Sequence, residues 1–231
     1  MRQQLKLRSI GALTLVERFE RLDSPAIADA QRGMRVMQPR IRSLVPGCKI
    51  AGPAFTVRAQ PGSMMTVMKA LLEAPEGSII VVDADGDLSA GGLWGELMAA
   101  EARFHGLKGI VIDGAARDRR GLEEVDFPTF AAGTTPRLGT SLQIGLTEVP
   151  ISCGGVPVVP GDWVFGDDDG VVVIPGNVLE TILEAAEAVE RRDREMARRV
   201  AAGERLADMC GFHRFIRDGE HTISVLSQPE S

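Results

Sequence analysis

Lysine is scarce in this chain. Only Lys6, Lys49, Lys69 and Lys108 occur, and the other 22 of 26 basic residues are arginine. Schiff-base chemistry therefore has few candidates, and none of the four ends a convincing buried strand. Histidine is scarcer: His105, His213 and His221 are isolated and give no zinc-ligand spacing. The three cysteines, Cys48, Cys153 and Cys210, are an odd number at wide spacings. They form no metal or redox pattern, which fits a reducing cytoplasm. No run of 18 apolar residues exists to cross a membrane. The opening MRQQLKLRSIGALTLVERFE has charges on both sides of a short apolar stretch, unlike a signal peptide. A net charge of −6 leaves no broad basic face, so nucleic acid is not expected as a partner. There is no internal repeat and no low-complexity segment.

What is present is an ordinary globular composition, 44% hydrophobic and 25% charged over 231 residues. It predicts one α/β domain across 1–231, with a core at about 20–205 and a helix and a tail as extensions. Leu13, Val16, Phe19 and Leu22 are spaced by three, predicting a helix over 11–22. Asp23-Ser24-Pro25 reads as the cap of a second helix ending at Ala30. Residues 33–48 read as loop or ribbon, and 50–59 as β-rich.

The middle alternates. Helices are predicted at 64–73, 92–104 and 117–124, and buried strands at 78–83, 109–113 and 127–131. Such alternation implies a mainly parallel sheet covered on both faces. Short strands at 156–159, 163–165 and 171–174 suggest a further β-only layer. Asp167-Asp168-Asp169-Gly170 reads as a hairpin turn rather than a metal loop. Asn177 is placed to cap a long helix to about Ala202, with Val178, Ile182, Ala185, Val189 and Met196 among its apolar positions. The tail beyond Gly203 carries Phe212, Phe215 and Ile216, apolar enough to dock on its own core or on a neighbour.

Two strand-to-helix segments carry the chemistry. The first runs Asp83-Ala84-Asp85-Gly86-Asp87 through Gly91-Gly92-Leu93-Trp94-Gly95-Glu96-Leu97-Met98. The second is Asp113-Gly114-Ala115-Ala116-Arg117-Asp118. Ligands of parallel sheets bind beyond the carboxyl ends of the strands. A helix start near Gly95 offers unpaired amides to a carboxylate. Arg117 can clamp a carbonyl or enolate oxygen. Asp118 is a hard oxygen ligand suited to Mg²⁺ or Mn²⁺, and Glu96 can move a proton. The plain readings are a glycine-rich turn, an Arg-Asp helix cap with a surface ion pair, and strand-end aspartates that cap the turns after them.

Taken jointly, Trp94-Gly95-Glu96, twenty intervening residues and Arg117-Asp118 resemble the class II 4-hydroxy-4-methyl-2-oxoglutarate (4-carboxy-4-hydroxy-2-oxoadipate) aldolases. That family includes the regulator of ribonuclease activity A proteins. VVDADGDLSAGGLWGELMAAEA, GIVIDGAARD, FPTFAAG and GGVPVVPGDWVFGDDDGVVVIP also resemble the family, over about residues 20–205. The resemblance implies a three-layer β/β/α sandwich of the swivelling-domain type, assembled as a homotrimer or hexamer. It implies that the backbone at Gly95, Glu96, Leu97 and Met98 binds the carboxylate of a small 2-oxo acid. Arg117 would touch the substrate oxygen, Asp118 would ligate a divalent cation, Mg²⁺ or Mn²⁺, and Glu96 would act through waters on that cation. A neighbouring subunit would add an acid from the long helix, Asp193 or Glu195. The activity implied is aldol cleavage to pyruvate through an enolate, with oxaloacetate decarboxylation through the same enolate. Two departures stand out: Glu96 occupies a position where aspartate is common, and Gly121 one that is often acidic, with Glu123 and Glu124 just beyond. The rival reading is a non-catalytic, protein-binding regulator. A methyltransferase is disfavoured, because no glycine-rich cofactor loop is followed by a ribose-binding acid.

Overall fold

The computed structural model describes residues 14–213 and 216. The chain divides into two units, Met1–Ala186 and Glu187–Ser231. In chain order the first unit holds α1 (Leu15–Glu20), α2 (Ser24–Ala30), β1 (Arg42–Ser43), β2 (Ile50–Arg58), α3 (Met64–Glu73) and β3 (Ile79–Asp83). There follow α4 (Glu96–Phe104), β4 (Gly109–Ala116), α5 (Arg119–Val125), β5 (Thr129–Thr134) and β6 (Leu146–Thr147). Then come β7 (Ile151–Cys153), β8 (Val156–Val158), β9 (Trp163–Asp167) and β10 (Gly170–Ile174). A long helix, α6 (Leu179–Ala201), crosses the division, and α7 (Leu206–Met209) lies in the second unit.

One large sheet runs in the order β1-β5-β4-β3-β2-β9-β10, with β6 also on β2. Its centre, β2 to β5, is parallel, and β1, β6, β9 and β10 join antiparallel. β9 and β10 therefore extend the core sheet instead of forming the separate β layer read from sequence; among the described residues only β7 and β8 stand apart as a ribbon. The segment before β1 pairs with the opposite edge through Val36↔Val172, so the sheet nearly closes on itself. This covers strand edges that would otherwise expose unpaired amides.

Burial follows the sequence pattern. Every residue of β3 and β4 is buried, as continuous apolar runs in parallel strands require. Each fully buried Val or Ile contributes about 1.5–3 kcal/mol. One face packs on α3, α4 and α5 through Val67, Leu71, Ala99, Ala102 and Leu122. The other face packs on the β7–β8 ribbon through Ile151, Cys153, Val156 and Val158. A third cluster sets Phe19, Leu22 and Ile27 against Phe165, Val172 and the start of α6.

Several boundaries moved. Thr14 starts α1 with a capping box to Glu17, while residues 11–13 of the predicted helix lie outside the described residues. Asp23 makes no cap bond to α2; it pairs with Lys49 at 2.6 Å, and the buried Asp167 accepts from Ser24 N and Oγ, each at 2.6 Å. Asn177 makes no cap bond among the described residues: it sits inside a 3-10 turn, Gly176–Val178, ahead of α6. The buried stripe of α6 is Leu179, Leu183 and Ala186, with Ile182 at its edge, one residue out of phase with most of the predicted positions. Phe212 and Ile216 are exposed, whereas Phe215 and His221 lie outside the described residues.

Candidate functional site

β3 and β4 lie in register, Asp83 opposite Asp113, so the segments leaving them start side by side. β4 then continues past Asp113 to Ala116 through a register shift between Ile112 and Ala115. The first segment is laced to this extension: Leu93 N–H donates to Ala115 O at 2.9 Å, and Arg117 N–H donates to Trp94 O at 2.9 Å. Gly92 is also engaged, donating to Arg137 O and accepting from Gly139 N. Residues 92–95 are thereby tied to the β4 extension, with Gly95 extended, and α4 starts at Glu96 rather than at the predicted Gly92. Ala99 N–H bonds Gly95 O at 3.0 Å, while the N–H groups of Glu96, Leu97 and Met98 have no acceptor among the described residues. Those are the first-turn donors that an anion can use. The Leu97 side chain is 83% exposed, so only its main chain is concerned.

Arg117 and Asp118 turn toward this helix start. A Cβ built on Gly95 would stand 2.5 Å from Asp118 Oδ2 and 3.2 Å from Arg117 Cγ. Arg117 Nε donates to Asp118 Oδ1 at 3.2 Å, with both side chains about one third exposed. Asp118 has left-handed backbone angles, φ 57° and ψ 41°, and makes no side-chain cap to α5. The plain cap reading therefore does not hold: the carboxylate is turned from α5's own amides toward Gly95. A non-glycine residue held in this region costs on the order of 1–3 kcal/mol, a strain that gathers at functional positions.

The remaining acids are placed differently. Glu96 lies across Gly121 of α5, and its carboxylate makes no hydrogen bond or ion pair among the described residues. Glu123 and Glu124 pair with Arg119 and Arg120 along α5. Asp193 and Glu195 belong to the second unit and pair with Arg192 and Arg198 on their own helix. Asp83 caps its turn as read, accepting from Asp85 N at 3.2 Å. Asp113 instead takes the Arg40 guanidinium on both oxygens and Gly154 N–H at 2.8 Å. Cys153, fully buried beside it, has its thiol pushed well above its ordinary 9.0 by burial, then by the charges of Asp113 and Asp83. Asp167 to Gly170 form the expected hairpin turn.

Sequence reasoning assigned no role to the side chains of two neighbouring residues, Trp94 and Arg40. Trp94 is 1% exposed, stacks on Phe127 at 5.8 Å between ring centroids, and leaves its indole N–H without a partner among the described residues. Arg40 comes from a loop whose sequence carries no periodic signal. The hard oxygens of the Asp118 carboxylate could hold a cation, and Glu96 could act on waters bound to it. No group of three or more His, Cys, Asp or Glu side chains suited to a metal occurs among the described residues. One or two carboxylates fit Mg²⁺, which keeps several waters and completes its shell from a ligand. No described helix is long and apolar enough to cross a membrane.

Comparison with known proteins places the chain in a family. Residues 24–173 match the RraA-like family model, Aldolase/RraA. A Halalkalibacterium halodurans protein with the provisional name 4-hydroxy-4-methyl-2-oxoglutarate aldolase is 36% identical over 193 residues, covering 84% of this chain and 91% of that protein. The crystal structure of an uncharacterized Pseudomonas syringae protein superposes with a TM-score of 0.77 at 30% identity, covering 87% of this chain and 98% of that one. The structure of the RNA-processing inhibitor RraA from Thermus thermophilis gives a TM-score of 0.60 at 29% identity, covering 66% of this chain and 92% of that one. On the matched span, the shared architecture and this identity, the chain belongs to the RraA-like Aldolase/RraA family.

Proposed function

We propose that this protein is a carbon–carbon lyase that releases pyruvate from a 4-hydroxy-2-oxo acid, using a divalent cation, Mg²⁺ or Mn²⁺. The observation that carries the reading is the convergence of Arg117 and Asp118 on the helix start at Gly95. The relative's aldolase name supports the same class. The amides of Glu96, Leu97 and Met98 receive the substrate carboxylate, and Arg117 holds the C2 oxygen. Glu96 takes the C4 hydroxyl proton. The C3–C4 bond then breaks, its electron pair moves toward C2 to form the pyruvate enolate, and C4 leaves as a carbonyl. Arg117 stabilises the enolate oxygen, and a proton returned to C3 gives pyruvate. Asp118 would hold the cation, which would supply further positive charge against the developing enolate. Oxaloacetate yields the same enolate by loss of CO₂, so it is a second substrate of the site. Assembly as a trimer or hexamer, with Asp193 or Glu195 of a neighbouring copy completing the site, belongs to this reading.

The test is pyruvate release from a panel of 4-hydroxy-2-oxo acids and oxaloacetate, with and without Mg²⁺ or Mn²⁺. Metal-dependent release from at least one is expected. Full wild-type turnover in both Arg117→Ala and Asp118→Ala would refute the assignment.

A second reading is a protein-binding regulator, favoured by the likeness to an RNA-processing inhibitor and by exposed Leu72, Leu97 and Phe104 on α3 and α4. Slowing of a purified ribonuclease by a chain that releases no pyruvate would select it.

A further inference from the structure

Gly121 lies at the third position of α5, where glycine is a poor choice. It costs about 0.5–1 kcal/mol against alanine inside a helix. Its φ is not in the left-handed region, so the backbone does not call for it. The reason is across the helix pair. A Cβ built on Gly121 would fall far inside van der Waals contact of Glu96 Oε2, 2.7 Å from Glu96 Cδ and 2.8 Å from Glu96 Cβ. Gly121 is buried, and the acid laid over it has no other polar partner among the described residues. The bare Cα of Gly121 is thus the seat of the Glu96 side chain, three residues beyond Asp118.

We propose that Gly121 is a positioning residue for Glu96: its missing side chain lets the longer glutamate arm fold against the first turn of α5, which sets where its carboxylate stands. The inference rests on the lyase reading for what Glu96 does, though not for the contact itself. A methyl group at 121 has two effects. The flexible end of Glu96 gives way first, so the carboxylate is redirected. The Cβ–Cβ approach of 2.8 Å, which no change of rotamer relieves, then forces α4 and α5 apart. The substrate carboxylate, bound by main-chain amides, is less affected than the proton transfer.

The experiment compares the wild type, Gly121→Ala, Glu96→Gly and the double variant Glu96→Gly/Gly121→Ala, by thermal midpoint and by steady-state pyruvate release with Mg²⁺. In the wild-type background Gly121→Ala is expected to lower Tm, and to lower kcat on the order of 10²-fold with a much smaller change in KM. In the Glu96→Gly background the same substitution meets no side chain and is expected to raise Tm, because alanine is the better helix former. A Tm change of the same sign and size in both backgrounds overturns the proposal, as does an unchanged kcat in Gly121→Ala. If the wild type releases no pyruvate the lyase reading fails instead, and the reversal in Tm still decides whether Gly121 seats Glu96.

Discussion

The Asp118 carboxylate rests against the main chain of Gly95, so closely that a Cβ on Gly95 would stand 2.5 Å from Oδ2. Gly95 itself is extended, φ −160° and ψ −173°, a conformation open to any residue. The demand for glycine there is one of space. Gly95→Ala is therefore expected to displace Asp118 and Arg117 with little backbone strain. Pyruvate release should fall on the order of 10²-fold while circular dichroism stays that of the wild type. Retained turnover would show that this close approach has no part in catalysis.

Arg117 and Asp118 are separable by conservative changes. Arg117→Ala is expected to lower kcat by about 10²–10³, the cost of removing one oxyanion donor. Arg117→Lys keeps the charge but loses the planar fork and should recover only part of it. For Asp118 the informative change is to asparagine, which tolerates the left-handed backbone at φ 57°. Asp118→Asn should raise the Mg²⁺ concentration needed for half-maximal rate with Tm nearly unchanged; an unaltered metal titration would remove Asp118 from the cation site.

The Arg40–Asp113 pair clamps a loop onto β4 at Asp113, four residues before Arg117. Asp113 is 4% exposed, so removing its partner leaves a buried carboxylate short of two donors. Arg40→Met is expected to destabilise by about 2–4 kcal/mol, below the full figure for a buried pair because the Arg40 side chain is 38% exposed. Urea denaturation measures it, and a loss under 0.5 kcal/mol, the ordinary range for surface changes, would contradict the clamp.

Burial holds the Cys153 thiol well above 9.0, with Asp113 and Asp83 adding to it. The folded state therefore favours the neutral thiol. Its contribution to stability is fully present below the unfolded pKa and is lost as pH rises from there toward the folded value. Cys153 should resist iodoacetamide at pH 8 in the native protein and react on denaturation. Cys153→Ala should flatten the fall in stability above about pH 9. Native-state labelling of Cys153 at pH 8 would count against this environment.

The α/β alternation was legible because apolar runs such as Ile79-Ile80-Val81-Val82 are local facts, as is the helical spacing of α3, whose bounds were read to the residue. The joint motif from Trp94 to Asp118 was legible too. The phase of α6 was not, since Leu179, Leu183 and Ala186 are selected by Phe165 and Val172 on distant strands. Nor was the cap of α2, which comes from Asp167, 143 residues away from Ser24.

The sequence alone determined which residue types stand at the two strand tips and that strands and helices alternate, because periodicity and spacing are properties of neighbours in the chain. Tertiary structure alone decided that α4 starts at Glu96, that Asp118 turns from its own helix toward Gly95, and that Gly121 lies beneath Glu96. Those are set by contacts between segments twenty or more residues apart, where packing and hydrogen bonds outweigh local preference.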